Sequence, residues 1–286
     1  VAICVIQDAV GSGLAAAFGL DPLLGLCMGS MPLVGGHGTS GSFGPLLETD
    51  YAVVGATTVA LAAATYGLVS GSMMGGPIAR ARVEKLHLKS TAAEEGNETA
   101  EVMPAVDGQK FTTSAMFLAV AIGLGTLIFT FFKDVCHLTF PTYIGAMLAA
   151  AAIRNIWDVQ NKDLPMVEID ALGGLSLNLF LSMAMMSLKL WQLAALALPM
   201  IVILLVQTVV MFLYANFVVF NVMGRDYEAA AMTTAFCGFG MGATPNAMAN
   251  MRALVERYGA APRAFFIVPL VGSLFVDFFN SMALTT

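Results

Sequence analysis

The chain of 286 residues is 58% hydrophobic and 11% charged, whereas roughly a quarter of the residues are charged in an ordinary soluble domain. This composition predicts a multi-pass membrane protein and argues against a soluble globular domain. The formal net charge of -6 and the lack of a basic tract argue against nucleic acid as a partner.

Several apolar segments are long enough to cross about 30 Å of hydrocarbon, which takes around 20 residues in a helix. They lie at residues 1–19, 52–78, 112–132, 137–153, 169–188, 191–220 and 262–284. Two further apolar stretches, 22–50 and 226–252, carry glycines in their middle and are not predicted as single spans. The sequence therefore predicts an all-α polytopic membrane protein with seven spans and two broken segments.

Residues 79–111 change sharply in composition, with many charged residues and no apolar run. We interpret them as a solvated, partly disordered cytoplasmic linker. If both broken stretches return to the side from which they enter, every Lys and Arg except Lys133 and Lys189 is cytoplasmic, as the positive-inside rule requires. A full crossing by 226–252 would instead move three arginines outside, so the charges favour two re-entrant hairpins.

The two broken stretches resemble each other in sequence. Each begins with a Gly-x-Asp pattern, at 19–21 and 224–226, and each reaches a glycine-rich core, at 36–38 and 238–240. The tracing places the first hairpin on the outer side and the second on the cytoplasmic side. Two similar units entering from opposite faces are typical of an inverted-repeat secondary transporter, where broken backbone lines a cavity near the midplane.

Glycines can serve other purposes in a membrane protein. A phosphate-binding loop is excluded because no Gly-Lys-Ser/Thr follows the glycines of "VGGHGTSGSF". Close helix packing by small residues is the other alternative, and we favour it for Gly71, Gly75 and Gly76. At the hairpins, free N–H groups at the start of a half-helix would favour an anion, and free carbonyls at its end could bind Na⁺.

The chain resembles the bacterial sodium/glutamate symporter family. The resemblance rests on "VGGHGTSG", "CGFGMGATPNAMANM", "LSLNLFLSMAMMSLKLWQLAALALPM" and the span with Gln207 and Thr208. It implies two inverted five-span repeats, a homodimer in the inner membrane, and glutamate uptake with Na⁺ by an elevator-like movement. On this pattern the N-terminal part is missing and the first repeat is incomplete. Residues 1–78 then belong to the first repeat, 79–111 are the linker, and 112–286 form the second repeat.

The candidate binding residues lie at the two tips and in the last span. They are Gly36, His37, Gly38, Thr39 and Ser40 in the first tip, Gly238, Gly240, Gly242, Thr244, Asn246 and Asn250 in the second, and Asp277 and Asn280 in the last span. Hydroxyls and amides suit an amino acid and a dehydrated Na⁺, since both need oxygens and donors. Asp277 and Asn280, three residues apart on one helical face, are candidate Na⁺ ligands together with the tip carbonyls.

Several roles stay open from the sequence. His37 is either a hydrogen-bonded structural residue or part of the site, and the hydroxyls of Thr39, Ser40 and Ser42 either satisfy freed backbone groups or contact substrate. A deep Asp277 would bind a cation, whereas one near the outer end would be solvated. Gln207 could bridge helices or touch a ligand, and the depth of Asp8, the only acid in the first span, is not fixed.

The sequence offers no catalytic set and no metal motif, and its four cysteines form no CxxC pair. We therefore predict a transporter and not an enzyme, with Na⁺ as the coupling ion and no cofactor. The expected function is Na⁺-coupled symport of L-glutamate. The alternatives are a di- or tricarboxylate symporter of similar design, and a pore or non-transporting membrane scaffold if the chain is truncated.

Overall fold

A computed structural model describes residues 1–90, 106–135, 142–187 and 190–285. Residues 91–105 of the predicted linker lie outside these ranges, as do Lys189 and the start of the predicted span 137–153. The described residues form helices joined by short turns, without a β-strand among them. The all-α prediction is therefore confirmed.

Helices make up most of the described residues. In order they are α1 (Ala2–Ala17), α2 (Pro22–Leu26), α3 (Ser30–Leu33), α4 (Gly36–Asp50), α5 (Ala56–Lys85), α6 (Gly108–Val135), α7 (Thr142–Val159), α8 (Met166–Ser187), α9 (Leu190–Tyr214), α10 (Phe220–Val222), α11 (Tyr227–Gly240), α12 (Thr244–Tyr258), α13 (Pro262–Leu270) and α14 (Asp277–Thr285). Two π-helical turns, Ala215–Val219 and Val271–Val276, continue α9 and α13.

Three helical stretches are long and apolar enough to cross a membrane, namely Ala56–Lys85, Gly108–Asp134 and Leu196–Val222 among the described residues. They coincide with three of the predicted spans. The other predicted spans correspond in position to α1, α7, α8 and the pair α13–α14. Apolar helices of this length agree with a membrane protein.

The chain divides into two compact units. Residues 96–187 form one of them, which contains α6, α7 and α8. Within it, α6 and α7 pack closely at Gly125 and Gly145, since a Cβ on either glycine would overlap the backbone of the other helix. Residues 1–95 and 188–284 form the other unit, which holds both glycine-broken stretches. These units are defined by contacts in the structure, whereas the two predicted repeats are defined by similarity in sequence. The repeats therefore stay a prediction.

In both broken stretches the glycine of the Gly-x-Asp pattern has a positive φ and the aspartate caps the next helix. Gly19 and Gly224 have φ angles of +72° and +112°, which favour glycine because it carries no Cβ. The side chains of Asp21 and Asp226 then cap the following helices by accepting hydrogen bonds from backbone N–H groups at 2.9 and 2.7 Å. A chain reversal at glycine and a capped helix start thus explain why the two sequences resemble each other.

Helix α5 packs against the second broken stretch through a row of glycines four residues apart. A Cβ on Gly67 would overlap the carbonyl oxygen of Met241, and a Cβ on Gly71 would lie 2.9 Å from that of Cys237. A Cβ on Gly75 would also be too close to α11 and α12. The packing predicted for Gly71 and Gly75 is confirmed, whereas a Cβ on Gly76 would meet no heavy atom of the described chain within 4 Å.

Candidate functional site

The glycine-rich tips of the two broken stretches meet in the structure. Gly36, with a φ of +61°, begins α4. A Cβ placed on it would lie 3.0 Å from the carbonyl oxygen of Gly242 and 3.8 Å from the Cβ of Ala243. Residues 206 positions apart in the sequence are thereby in contact, and only a glycine fits both the backbone angle and the space at Gly36.

Two helices begin at this contact. α4 starts at Gly36 and α12 at Thr244, each with 15 residues. The first N–H groups of a helix have no partner within the helix, and they carry the positive end of its dipole. The stretch from 20 to 50 contains neither Lys nor Arg. At the start of α12, Pro245 has no N–H and the Asn246 N–H donates to the carbonyl of Ala243 at 3.0 Å. The start of α4 is therefore the main positive electrostatic feature of the tips, which suits an anionic group.

His37 is buried in the first turn of α4 and is 7% exposed. Its Nε2 lies 3.1 Å from the hydroxyl oxygen of Thr65 on α5. That hydroxyl donates its own hydrogen to the carbonyl of Leu61 at 3.0 Å, so the imidazole Nε2–H is the donor to Thr65. His37 thus fastens the first tip to α5, in agreement with the structural interpretation of this residue, while a further role in binding stays a prediction.

The hydroxyls of the first tip satisfy backbone groups. Ser40 donates to the carbonyl of Gly36 at 2.7 Å and is close to that of Ala60 at 3.4 Å. Ser42 donates to the carbonyl of Gly38 at 3.0 Å. Thr39 is buried, and Gly38 is exposed, with no heavy atom of the described chain within 4 Å of an added Cβ. For Ser40 and Ser42 the geometry agrees with the backbone role, and contact with substrate stays a prediction.

Asparagine side chains hold the second tip against α5. The amide nitrogen of Asn246 is 3.2 Å from the carbonyl of Leu68, and its amide oxygen accepts a hydrogen bond from Ser72. The amide nitrogen of Asn250 lies 3.2 Å from the carbonyls of Gly71 and Thr234. Both residues therefore bridge α12 to α5, so they fix the shape of the tip beside any contact with a ligand.

The glycines of the second tip allow the turn between α11 and α12 to be tight. A Cβ on Gly238 would lie 2.7 Å from the backbone nitrogen of Ala247, and one on Gly242 would lie 2.8 Å from the carbonyl of Gly238. A Cβ on Gly240 would overlap the side chain of Met211 on α9. Thr244, half-buried, then begins α12.

Asn280 of the last helix is not beside the tip contact. It is buried at 1% exposure, and its amide nitrogen lies 3.3 Å from the carbonyl of Ser30. Its amide oxygen is 2.7 Å from the hydroxyl of the same serine. Asn280 therefore faces the break between α2 and α3. Asp277 is the first residue of α14, but its side chain lies outside the described part of the structure, so its role stays a prediction.

Asp8 and Ser30 were not among the predicted site residues. Together with Asn280 they form a second polar cluster, separate from the contact between the tips. The Asp8 carboxylate of α1 accepts hydrogen bonds from the backbone N–H and the hydroxyl of Ser30, at 2.7 and 2.8 Å. Asp8 was visible as the only acid of its apolar segment. Ser30 gave no such signal, because serine is common at turns and its partners lie far away in the sequence.

Glutamine side chains connect this cluster to the second tip. The amide nitrogen of Gln7 donates to the carbonyl of Gly240 at 2.9 Å. The amide nitrogen of Gln207 lies 2.7 Å from the carbonyl of Gln7 and 3.2 Å from that of Met28. Both glutamines have 0% exposure. Gln207 thus bridges helices, as one of the two interpretations of the sequence expects.

Comparison with known proteins assigns the chain to a family. The sequence model of the sodium/glutamate symporter family matches residues 1–260. The chain is 40% identical over 291 residues to the sodium/glutamate symporters of Escherichia coli (strain K12) and Shigella flexneri, with 99% of this chain and 72% of each relative covered. It is 35% identical over 287 residues to that of Haemophilus influenzae, with 97% and 70% covered. No solved structure matches significantly.

These relatives are named as transporters and not as enzymes, and the resemblance inferred from the tip motifs is confirmed. The match includes both broken stretches and the helices that pack around them. The chain belongs to the sodium/glutamate symporter family.

Proposed function

We propose that this protein carries out Na⁺-coupled symport of L-glutamate across the bacterial inner membrane. The observation that supports it most strongly is the 40% identity, over 99% of the chain, to a protein named sodium/glutamate symporter. Identity of this extent over both tips favours the same solute class over the di- and tricarboxylates that the sequence alone left open. It also favours a carrier over a pore or scaffold.

In this proposal, glutamate binds where the two tips meet. Its carboxylates lie at the starts of α4 and α12, where backbone N–H groups and helix dipoles favour negative charge. The glycines at 36 and 242 permit backbone to approach the ligand closely. His37 and Thr39 in the first turn of α4, and Thr244 and Asn246 in the first turn of α12, are the proposed sources of donors and oxygens for the amino acid.

We further propose that the two broken stretches are re-entrant hairpins of opposite orientation. The tip-bearing helices then move together relative to a scaffold, which is an elevator-type form of alternating access. Buried hydrogen bonds tie α1, α5, α9, α11 and α12 to one another, which supports their moving as one body. A homodimer is part of the same proposal, and light scattering of the detergent-solubilised protein tests it by mass.

The transport test uses the chain reconstituted in proteoliposomes. An inward Na⁺ gradient should drive accumulation of labelled L-glutamate above its outside concentration, and replacement of Na⁺ by choline should abolish it. Unlabelled L-glutamate should compete, whereas citrate and malate should not. Uptake that ignores Na⁺, or that citrate inhibits better than glutamate, would contradict the proposal, and electrical currents far above carrier turnover would indicate a pore.

The position of the substrate is tested by charge at Gly38. An added Cβ there meets no heavy atom of the described chain within 4 Å, and an aspartate in the first turn of α4 suits the helix dipole, so Gly38→Asp should fold. Its carboxylate would repel a glutamate carboxylate by about 2 kcal/mol at about 8 Å and an effective dielectric constant of 20. We expect KM for glutamate to rise about thirtyfold, while the neutral, isosteric Gly38→Asn stays close to wild type. An equal KM in both variants would place the substrate elsewhere.

A further inference from the structure

The break between α2 and α3 holds a carboxylate in an apolar part of the protein. At Gly29 the backbone has φ and ψ of -104° and -140° and leaves the helix. Asp8 enters this break from α1 and accepts both hydrogen bonds from Ser30. Among the residues that the structure describes, no Lys or Arg forms an ion pair with Asp8. A carboxylate at membrane depth normally has a partner of opposite charge or faces a cavity.

The hydrogen atoms in this cluster are too few for its oxygens. The Ser30 hydroxyl has a single hydrogen, yet its oxygen is 2.8 Å from Asp8 Oδ2 and 2.7 Å from Asn280 Oδ1. Turning the Asn280 amide over does not help, because its oxygen would then face the Ser30 carbonyl at the position now 3.3 Å away. With Asp8 ionised, two acceptor oxygens lie at hydrogen-bond distance without a hydrogen between them in either orientation of the amide.

Neighbouring side chains add further oxygens of the same kind. The amide oxygens of Gln7 and Gln207 are buried without a hydrogen-bond partner in the described structure. Their nitrogens donate to backbone carbonyls, those of Gly240 for Gln7 and of Gln7 and Met28 for Gln207. This fixes the amide orientation, since a reversed amide would bring two oxygens together. The helices that meet at this cluster thus carry two further buried oxygens that lack a donor.

We propose that Asp8, Ser30 and Asn280 form a Na⁺ site. This inference rests on the proposed function, in which Na⁺ is the coupling ion. A hard cation binds carboxylate, hydroxyl and amide oxygens directly and needs no hydrogen between them. A single carboxylate supplies one negative charge, so a monovalent ion neutralises the cluster, whereas a divalent ion would leave an excess charge in an apolar setting.

Gly29 keeps this site open. A Cβ added there would lie 2.6 Å from Asp8 Oδ1 and 3.2 Å from the carbonyl oxygen of Gln7. Any larger residue at 29 would push the carboxylate away from Ser30. The absence of a side chain at this break is therefore required by the position of Asp8.

The site also explains how Na⁺ could act on the substrate tips. Its three ligands come from α1, α3 and α14, which the bound ion would hold together. Gln7, next to Asp8, reaches the carbonyl of Gly240 at the second tip, and α3 leads through 34–35 into the first tip at Gly36. Na⁺ at Asp8 would therefore order both tips before glutamate binds, which is positive coupling between the two ligands.

The test titrates Na⁺ without glutamate. The full chain in detergent is unfolded thermally at increasing NaCl, with choline chloride added to keep the ionic strength constant. The wild-type Tm should rise with Na⁺ because a ligand of the native state stabilises it. Asp8→Asn and Ser30→Ala should each weaken the apparent Na⁺ affinity at least tenfold. Asp163→Asn, which changes an exposed acid between α7 and α8, is the matched control and should bind Na⁺ like wild type.

Ser30→Ala keeps the backbone N–H that Asp8 accepts, so it provides the comparison even if Asp8→Asn fails to fold. The site would be overturned if Ser30→Ala and Asp8→Asn bound Na⁺ as tightly as the wild type. It would also be overturned if the Tm of the wild type responded to pH but not to Na⁺, since a proton and not Na⁺ would then occupy the cluster. Na⁺-driven glutamate uptake by the wild type, measured alongside, separates the two proposals. If the wild type shows Na⁺-driven uptake but the variants bind Na⁺ as tightly as it does, only the site is refuted. If the variants lose Na⁺ binding but the wild type shows no Na⁺-driven uptake, only the transport function is refuted.

Discussion

The close contact between α5 and the second tip gives a prediction that the structure allows us to quantify. Gly67 lies where a Cβ would overlap the carbonyl oxygen of Met241 and come within 3.0 Å of a methyl group of Leu33. Gly67→Ala should therefore push the turn between α11 and α12 away from α5. Gly13, in the interior of α1, is the matched control, because a Cβ there would meet nothing of the described chain within 4 Å.

The magnitude follows from two opposing terms. Replacing glycine by alanine inside a helix is favourable by about 1 kcal/mol, and this term applies at both positions. Overpacking against neighbours that cannot move freely costs about 1–3 kcal/mol, and it applies only at Gly67, where the nearest atom belongs to the backbone. The helix term cancels in the comparison. Gly67→Ala should therefore be less stable than Gly13→Ala by about 1–3 kcal/mol.

Thermal unfolding in detergent measures the difference, and proteoliposome uptake measures its consequence. One kcal/mol corresponds to about 2–4 °C in Tm for chains of roughly this size, so the two variants should differ by several degrees. Uptake by Gly67→Ala should fall because Met241 precedes the tip residue Gly242, whereas Gly13→Ala should transport normally. The reasoning is refuted if Gly67→Ala unfolds at the same temperature as Gly13→Ala, since the carbonyl contact would then not exist.

Three further predictions concern single side chains of the same unit. Glu228→Ala should cost about 2 kcal/mol relative to exposed Glu256→Ala in thermal unfolding, because the Glu228 carboxylate accepts two backbone N–H groups at the start of α13; equal Tm values would contradict this. Nitrogen NMR should find the His37 proton on Nε2, donated to Thr65, and a proton on Nδ1 alone would refute the assignment. Arg82→Lys should lose about 1 kcal/mol because lysine cannot make the two guanidinium contacts to the π-helical turn after α9, and an unchanged Tm would argue against that anchor.

The local features of the broken stretches were predictable from sequence. The Gly-x-Asp pattern was noted as a likeness between the two stretches, and in the structure both aspartates, at 21 and 226, cap a helix after a glycine of positive φ. The concentration of glycines at 36–38 and 238–240 likewise predicted where the backbone turns. Glycine content and the distribution of Lys and Arg therefore indicated the two tips before any tertiary contact was considered.

The second polar cluster could not be predicted in the same way. Asn280 meets Ser30 across 250 residues of sequence, and Gln7 meets Gly240 across 233. Neither contact leaves a trace in hydropathy or local spacing, because it depends on how distant helices pack. The sequence suggested Asp277 as the acid near Asn280, whereas the structure brings Asp8 to the same serine that Asn280 contacts. Gly76 shows the opposite case, since packing was predicted there but an added Cβ would meet no heavy atom of the described residues within 4 Å.

A single helix, α5, bonds to both tips at positions about one helical turn apart. His37 of the first tip is fastened to Thr65, and Asn246 of the second is fastened to the carbonyl of Leu68, one turn further along. Opening one tip alone would break such bonds and leave buried polar groups unsatisfied, at about 1–3 kcal/mol for each group. It would also separate the backbone of the second tip from Gly67. Moving the tips together with α5 breaks none of these contacts, which supports the proposed displacement of this whole assembly over independent opening of either tip.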